Sequence, residues 1–122
     1  MKTKLGEEWG IWVSQSVDGL ILHAPVESGF VSFWFDFPCS EFDLEVLEND
    51  YYRRKVLEFI IHQHLQPTTL PNSHKIDNEV IFTIIKTVLH GTSEEVLREI
   101  HRAPQPSSIE WRIANEVNSE NQ

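Results

Sequence analysis

The stretch "FVSFWFDFPCSEFDLEVLEND", residues Phe30–Asp50, contains the change of period that decides the fold. Over Phe30–Phe37 the side chains alternate, with Val31, Phe33, Phe35 and Phe37 on one side and Phe30, Ser32, Trp34 and Asp36 on the other. Period two is the signature of a half-buried strand. Pro38 is expected to close that strand, because a proline cannot donate to a ladder. From Ser40 the period turns helical. Ser40 followed by Asp43 has the spacing of a cap, predicting a short helix to about Glu48 with a break at Asn49-Asp50.

Upstream of this junction the chain reads as further strands. Trp9, Ile11 and Val13 alternate with Gly10, Trp12 and Ser14, and Asp18-Gly19 suits a type I′ hairpin turn. Leu20–Ala24 is the expected return strand, ended by Pro25, and Glu27-Ser28-Gly29 is a second turn. Downstream the pattern stays helical. A helix is predicted over Tyr51–Gln66 with Val56, Leu57, Ile60 and Ile61 inward, and Pro67–Ser73 is a loop. A third helix, Asp77–His90, has the widest apolar stripe and is expected at the centre of the core, with Gly91 in the C′ role. Thr92 with Glu95 caps a short helix to His101, and Ser107 with Glu110 is expected to cap the last one. Strands first and helices after, without βαβ alternation, predict an α+β domain. The expectation is a three-stranded antiparallel sheet over 9–37, about five helices on one face over 40–117, and a flexible tail over 118–122.

The chain has 122 residues, the size of one domain, and buries roughly 65% of its unfolded surface at that length. Its single cysteine, Cys39, rules out an internal disulfide and suits a reducing cytoplasm. Met1–Glu8 is polar with no apolar signal-like segment, and no run approaches a membrane span. A cytoplasmic protein without membrane contact is therefore expected.

Nineteen acidic residues against ten basic ones give a net charge of −9. Binding to phosphates draws on Lys and Arg, so direct nucleic-acid binding is not expected. No Gly-rich phosphate loop and no nucleophile elbow is present. The six histidines lack paired metal-ligand spacing, since His62 and His64 are two apart and His74, His90 and His101 fall near loops or helix ends. No metal, cofactor or catalytic residue is expected. Cys39 sits among carboxylates, which favour the inert thiol. Trp9, Trp12 and Trp111 are expected to fill the core, with anchoring of a partner as the alternative.

Charge density is what remains. Between Asp36 and Asp50 stand six carboxylates (Asp36, Glu41, Asp43, Glu45, Glu48 and Asp50) and no Lys or Arg. Such a run is often only a solvated face, but Trp34, Phe37 and Phe42 lie among the charges and are residue types that anchor partners. Trp34, Asp36, Glu41, Phe42, Asp43, Glu45, Glu48 and Asp50 are the candidate partner-binding residues. Arg53, Arg54 and Lys55 follow directly and are expected to neutralise acids within the chain, with Arg54–Glu58 an ordinary i,i+4 surface pair.

The segment "SEFDLEVLENDYYRRKVLEFIIHQHLQ", Ser40–Gln66, resembles small bacterial immunity proteins encoded beside polymorphic toxins, including those of contact-dependent growth inhibition systems. The resemblance lies in size, acidity and a short acidic helix leading into an arginine-bearing one. It implies a protein without catalytic activity that binds one cognate toxin domain, often a nuclease, and blocks its active site or substrate surface. No residue role transfers with it. Rival expectations are an acidic nucleic-acid mimic inhibiting a DNA-binding protein, a small enzyme with a carboxylate or histidine cleft, and an adaptor subunit.

Overall fold

The computed structural model describes residues 2–5, 10–28, 31–69 and 76–117. Trp9, Phe30, His74, most of the Pro67–Ser73 loop and the 118–122 tail lie outside them. The expected α+β architecture is present. Strands β1 (Lys2–Leu5), β2 (Trp12–Ser16), β3 (Gly19–Ser28) and β4 (Val31–Cys39) form one antiparallel sheet in the order β1-β2-β3-β4. Helices α1 (Glu41–Asn49), α2 (Tyr51–Leu65), α3 (Asn78–His90), α4 (Ser93–Arg102) and α5 (Pro106–Arg112) follow, and α5 runs on into a π-helical turn over Ile113–Val117.

The three expected strands are β2, β3 and β4; β1 is an addition that sequence reading missed. It is short and bears Lys2 and Lys4, the kind of sequence that tolerates a sheet edge. Two prolines expected to end strands lie inside them instead. β3 continues past its last partner in β2, which is Trp12 opposite His23, so Pro25 falls where one edge of β3 is unpaired by β2. Pro38 pairs with Ile21 on β4, itself an edge strand. A missing N–H is tolerated at both places. The first hairpin turns one residue earlier than expected, through Val17-Asp18. Gly19 opens β3 with φ +124°, a conformation glycine adopts without strain.

The inner face of the sheet carries Val13, Leu20, Leu22, Ala24, Val26 and Phe37, all buried. Phe37 therefore belongs to the core and is not a partner anchor. The central helix is α2, not α3. It touches α1, α3, α4, α5 and β3, and Val56, Leu57, Phe59, Ile60, Ile61 and Leu65 are all buried. α3 buries Ile81, Ile84, Ile85, Val88 and Leu89 but leaves Val80 and Phe82 exposed. Trp111 is also exposed and fills no core space.

Helix ends follow local chemistry. Reciprocal capping boxes form at Ser40/Asp43 and Thr92/Glu95, as their spacing predicts. The expected Ser107 cap is absent: Gln105 occupies the cap position without a side-chain bond, and Pro106 starts α5 at a site where its missing N–H costs nothing. Gly91 ends α3 with extended backbone (φ −79°, ψ 174°), not in a left-handed C′ conformation. Its glycine answers a close approach, because a Cβ there would stand 2.5 Å from the Thr87 carbonyl oxygen.

Candidate functional site

Helix α1 begins where β4 delivers the chain to Ser40. The Asp43 amide donates to Ser40 Oγ (3.0 Å), and the Ser40 amide donates to Asp43 Oδ2 (2.9 Å). The other oxygen, Asp43 Oδ1, lies 2.6 Å from His90 Nε2 at the end of α3. Asp43 thus ties the positive end of one helix to the negative end of another, with its carboxylate at the end where the α1 dipole favours it. At the far end Asp50 closes α1 and caps α2. Its Oδ1 accepts from the Arg53 amide (3.0 Å) and its Oδ2 lies 3.3 Å from Arg53 Nε. Arg53 also donates to the Val88 carbonyl at 2.9 Å.

The basic run after α1 is therefore turned inward, as expected, though with a different pairing. Glu58 meets Lys55 Nζ at 2.8 Å and accepts the Ile11 amide at 3.1 Å, a buried contact that holds the sheet to α2. The Arg54 guanidinium lies over the Tyr51 ring at 5.1 Å.

Of the carboxylates on α1 and its caps, Asp43 and Asp50 are thus committed to the fold. The carboxylates of Glu41, Glu45 and Glu48 have no hydrogen-bond or ion-pair partner among the described residues, and all three residues are exposed. Their spacing of four and three residues places them in one exposed stripe along the helix, flanked on one side by the buried Leu44 and Leu47. Phe42 stands beside that stripe and is 75% exposed. Burial pushes the nearby Cys39 thiol up to about 12, with Asp43 and Glu41 adding to the effect. At neutral pH this favours the protonated thiol over the nucleophilic thiolate.

Sequence reading did not anticipate the groove between α1 and α3. A cavity of about 470 Å³ is lined by Pro38, Phe42, Phe82 and Ile85, with Ser40, Asp43, Lys86 and His90 at its polar side. A second, of about 550 Å³, lies across Phe42 and includes Glu45, Asp50, Arg53 and Leu89. The signal for Phe82 is faint in the sequence: it is a large apolar residue just off the buried stripe of α3.

Trp34 and Asp36 are on a different surface. They point to the face of the sheet away from the inward-facing Phe33, Phe35 and Phe37, and so stand apart from the stripe on α1. Trp34 is 53% exposed and meets Trp12 edge-on, at 5.9 Å between ring centroids. Asp36 lies opposite His23 in the register, with His23 Nδ1 2.6 Å from Asp36 Oδ1. His23 Nε2 lies 2.7 Å from Ser14 Oγ. A carboxylate only accepts, so Nδ1 donates to Asp36; in the neutral ring Nε2 then accepts from the Ser14 hydroxyl.

Ser14, His23 and Asp36 therefore line up in the order of a hydrolytic triad. Three observations place this line in the framework instead. Ser14 is 1% exposed. The Trp12 ring is stacked on His23 at 3.8 Å, covering the base. Both edges of β2 are paired from Val13 to Gln15, so its amides serve the ladder and form no oxyanion hole. Among the described residues no group of His, Cys, Asp and Glu side chains could hold a metal ion, and no helix is long and apolar enough to cross a membrane.

No protein-family model, curated protein or solved structure matches this chain.

Proposed function

We propose that this chain is an immunity-type binding protein that neutralises one cognate basic toxin domain, a nuclease in the simplest case, by presenting α1 to it. The observation that carries the reading is the stripe of Glu41, Glu45 and Glu48, three exposed carboxylates with no partner among the described residues, beside the exposed ring of Phe42. Like charges held together on one helix repel, and here no described cation offsets them. A cationic surface would. A nuclease must carry such a surface to hold phosphates, and opposed patches speed encounter to about 10⁸–10⁹ M⁻¹s⁻¹ at low salt. Fast capture suits a protein that must act before the toxin does. The resemblance of Ser40–Gln66 to toxin-immunity proteins agrees with this in size, charge and helix order.

The test is rescue from toxicity. Cells expressing a toxic domain encoded beside the gene for this chain should survive when the chain is co-expressed. The Glu41→Lys, Glu45→Lys, Glu48→Lys variant should fold normally by circular dichroism yet fail to protect. Asp43 and Asp50 are left untouched, because both hold helix ends together. Protection by the triple variant equal to wild type refutes the acidic-surface mechanism, and failure of the wild-type chain to protect refutes the immunity reading itself.

A further inference from the structure

The groove beside α1 is apolar where the helix face is charged. Phe42 is 75% exposed and Phe82 is 41% exposed, and their rings flank the cavity of about 470 Å³ that Pro38 and Ile85 also line. The α3 wall is anchored, since Phe82 meets the buried Phe37 edge-on at 6.2 Å between centroids. Phe42 projects between this cavity and the one of about 550 Å³ beyond it. Two large rings left facing solvent across one hollow mark a place where a further apolar group removes them from water.

The charges around that hollow choose among occupants. His90 is held by Asp43, and Arg53 by Asp50 and the Val88 carbonyl. Among the described residues, Lys86 is the one lysine or arginine lining the first cavity. Against it stands Glu45, which lines the adjoining cavity, with Glu41 and Glu48 on the same helix stripe beyond both linings, and none of the three carboxylates has a described partner. A second copy of this chain, at net charge −9, is repelled from such a surface. A neutral lipid or small hydrophobe leaves the three carboxylates unmatched.

We infer that the α1–α3 groove receives a bulky apolar side chain from a cationic protein segment. That side chain enters between Phe42 and Phe82, while the lysines or arginines flanking it meet Glu41, Glu45 and Glu48. The inference rests on the acidic-surface reading and adds to it the chemistry of the partner's contact segment: an aromatic or large aliphatic residue set among positive charges. Apolar burial supplies the anchor, and the charge supplies the choice of partner.

The experiment uses the full chain, ¹⁵N-labelled, and three short synthetic peptides titrated at low salt and followed by NMR. One peptide carries a central tryptophan flanked by lysines. The second has glycine in place of the tryptophan, and the third has glutamates in place of the lysines. The lysine–tryptophan peptide should shift the resonances of Phe42, Phe82, Ile85 and His90. It should bind roughly tenfold more tightly than either of the others, about 1.4 kcal/mol. The exposed substitution Phe42→Ser should remove most of that advantage without disturbing the fold. Equal binding by the lysine–glycine peptide overturns the cavity proposal and leaves the acidic surface standing. Equal binding by the glutamate–tryptophan peptide overturns both, because charge then plays no part. Shifts confined to another surface, or none with any peptide, also overturn the proposal.

Discussion

Ser14, His23 and Asp36 show how far geometry at single residues can mislead if burial is ignored. Their distances of 2.7 and 2.6 Å suit proton transfer, but the nucleophile is covered and the base lies under Trp12. The arrangement also has a plain physical purpose. His23 is buried on a sheet face, and a buried ring nitrogen without a partner costs about 1–3 kcal/mol. Ser14 and Asp36 satisfy both nitrogens. Ser14→Ala should therefore lower stability by about that amount in urea unfolding. Hydrolysis of p-nitrophenyl acetate by the wild-type chain should be no faster than by the variant. Turnover that disappears with Ser14→Ala would instead make the line a working triad. This network is invisible to a reading of motifs, because it is built from register. Once the first hairpin turns at Val17-Asp18, Trp12 stands opposite His23 and Ser14 diagonal to it, and the next hairpin sets Asp36 against the same histidine. Residues 14, 23 and 36 share no sequence pattern; they share only a sheet face.

Among the elements, α1 carries the most argument in the least length. Its start is legible from sequence because a capping box is local: Ser40 and Asp43 need only each other. The same is true of Thr92 and Glu95, and of the alternation through Phe33, Phe35 and Phe37. Long-range facts are not legible in this way. Asp43 and Glu45 look alike in the sequence, yet one reaches His90 across 47 positions while the other has no described partner. The sequence also shows Pro25 and Pro38 without showing that each sits where a sheet edge forgives it. It follows that the acidic density of the candidate site can be read in advance, but not which carboxylates are available to a partner. The two roles of Asp43 separate by mutation. Ser40→Ala removes a cap bond and should cost about 1 kcal/mol. Asp43→Ala also releases α3 and should cost clearly more, with the two losses falling short of additive because they share the box. Equal losses in urea would show that the Asp43–His90 contact does not hold the helices together, and the α1–α3 groove would then lack its brace.

Over the whole molecule, two electrostatic effects oppose each other as the pH falls. Self-repulsion at a net charge of −9 weakens as carboxylates protonate toward the isoelectric point near 5.0, which favours the folded state. His62 and His64 act in the opposite direction. Burial holds His62 below its ordinary value, with Arg112 adding and Glu27 opposing. Burial likewise holds His64 down against the pull of Glu99, and its Nε2 is buried without a hydrogen-bond partner among the described residues. With the folded value lowered from 6.5, the unfolded chain binds more protons than the folded one as the pH drops below that value. The stability these two histidines contribute is complete above the unfolded value and is lost as the pH falls through the lower folded ones. A variant carrying His62→Gln and His64→Leu cannot lose it. Both are partly exposed, so solvent screens part of the effect, and the comparison turns on the shape of the curves and not on their height. Urea midpoints taken from about pH 7.5 down to about pH 5.5 should fall more steeply for wild type than for the variant, narrowing or reversing any gap at neutral pH. The repulsion between carboxylates is common to both proteins and cancels in the difference. Two curves that stay parallel across that window would mean that neither imidazole changes its proton affinity on folding. The acid response would then belong to the carboxylates alone.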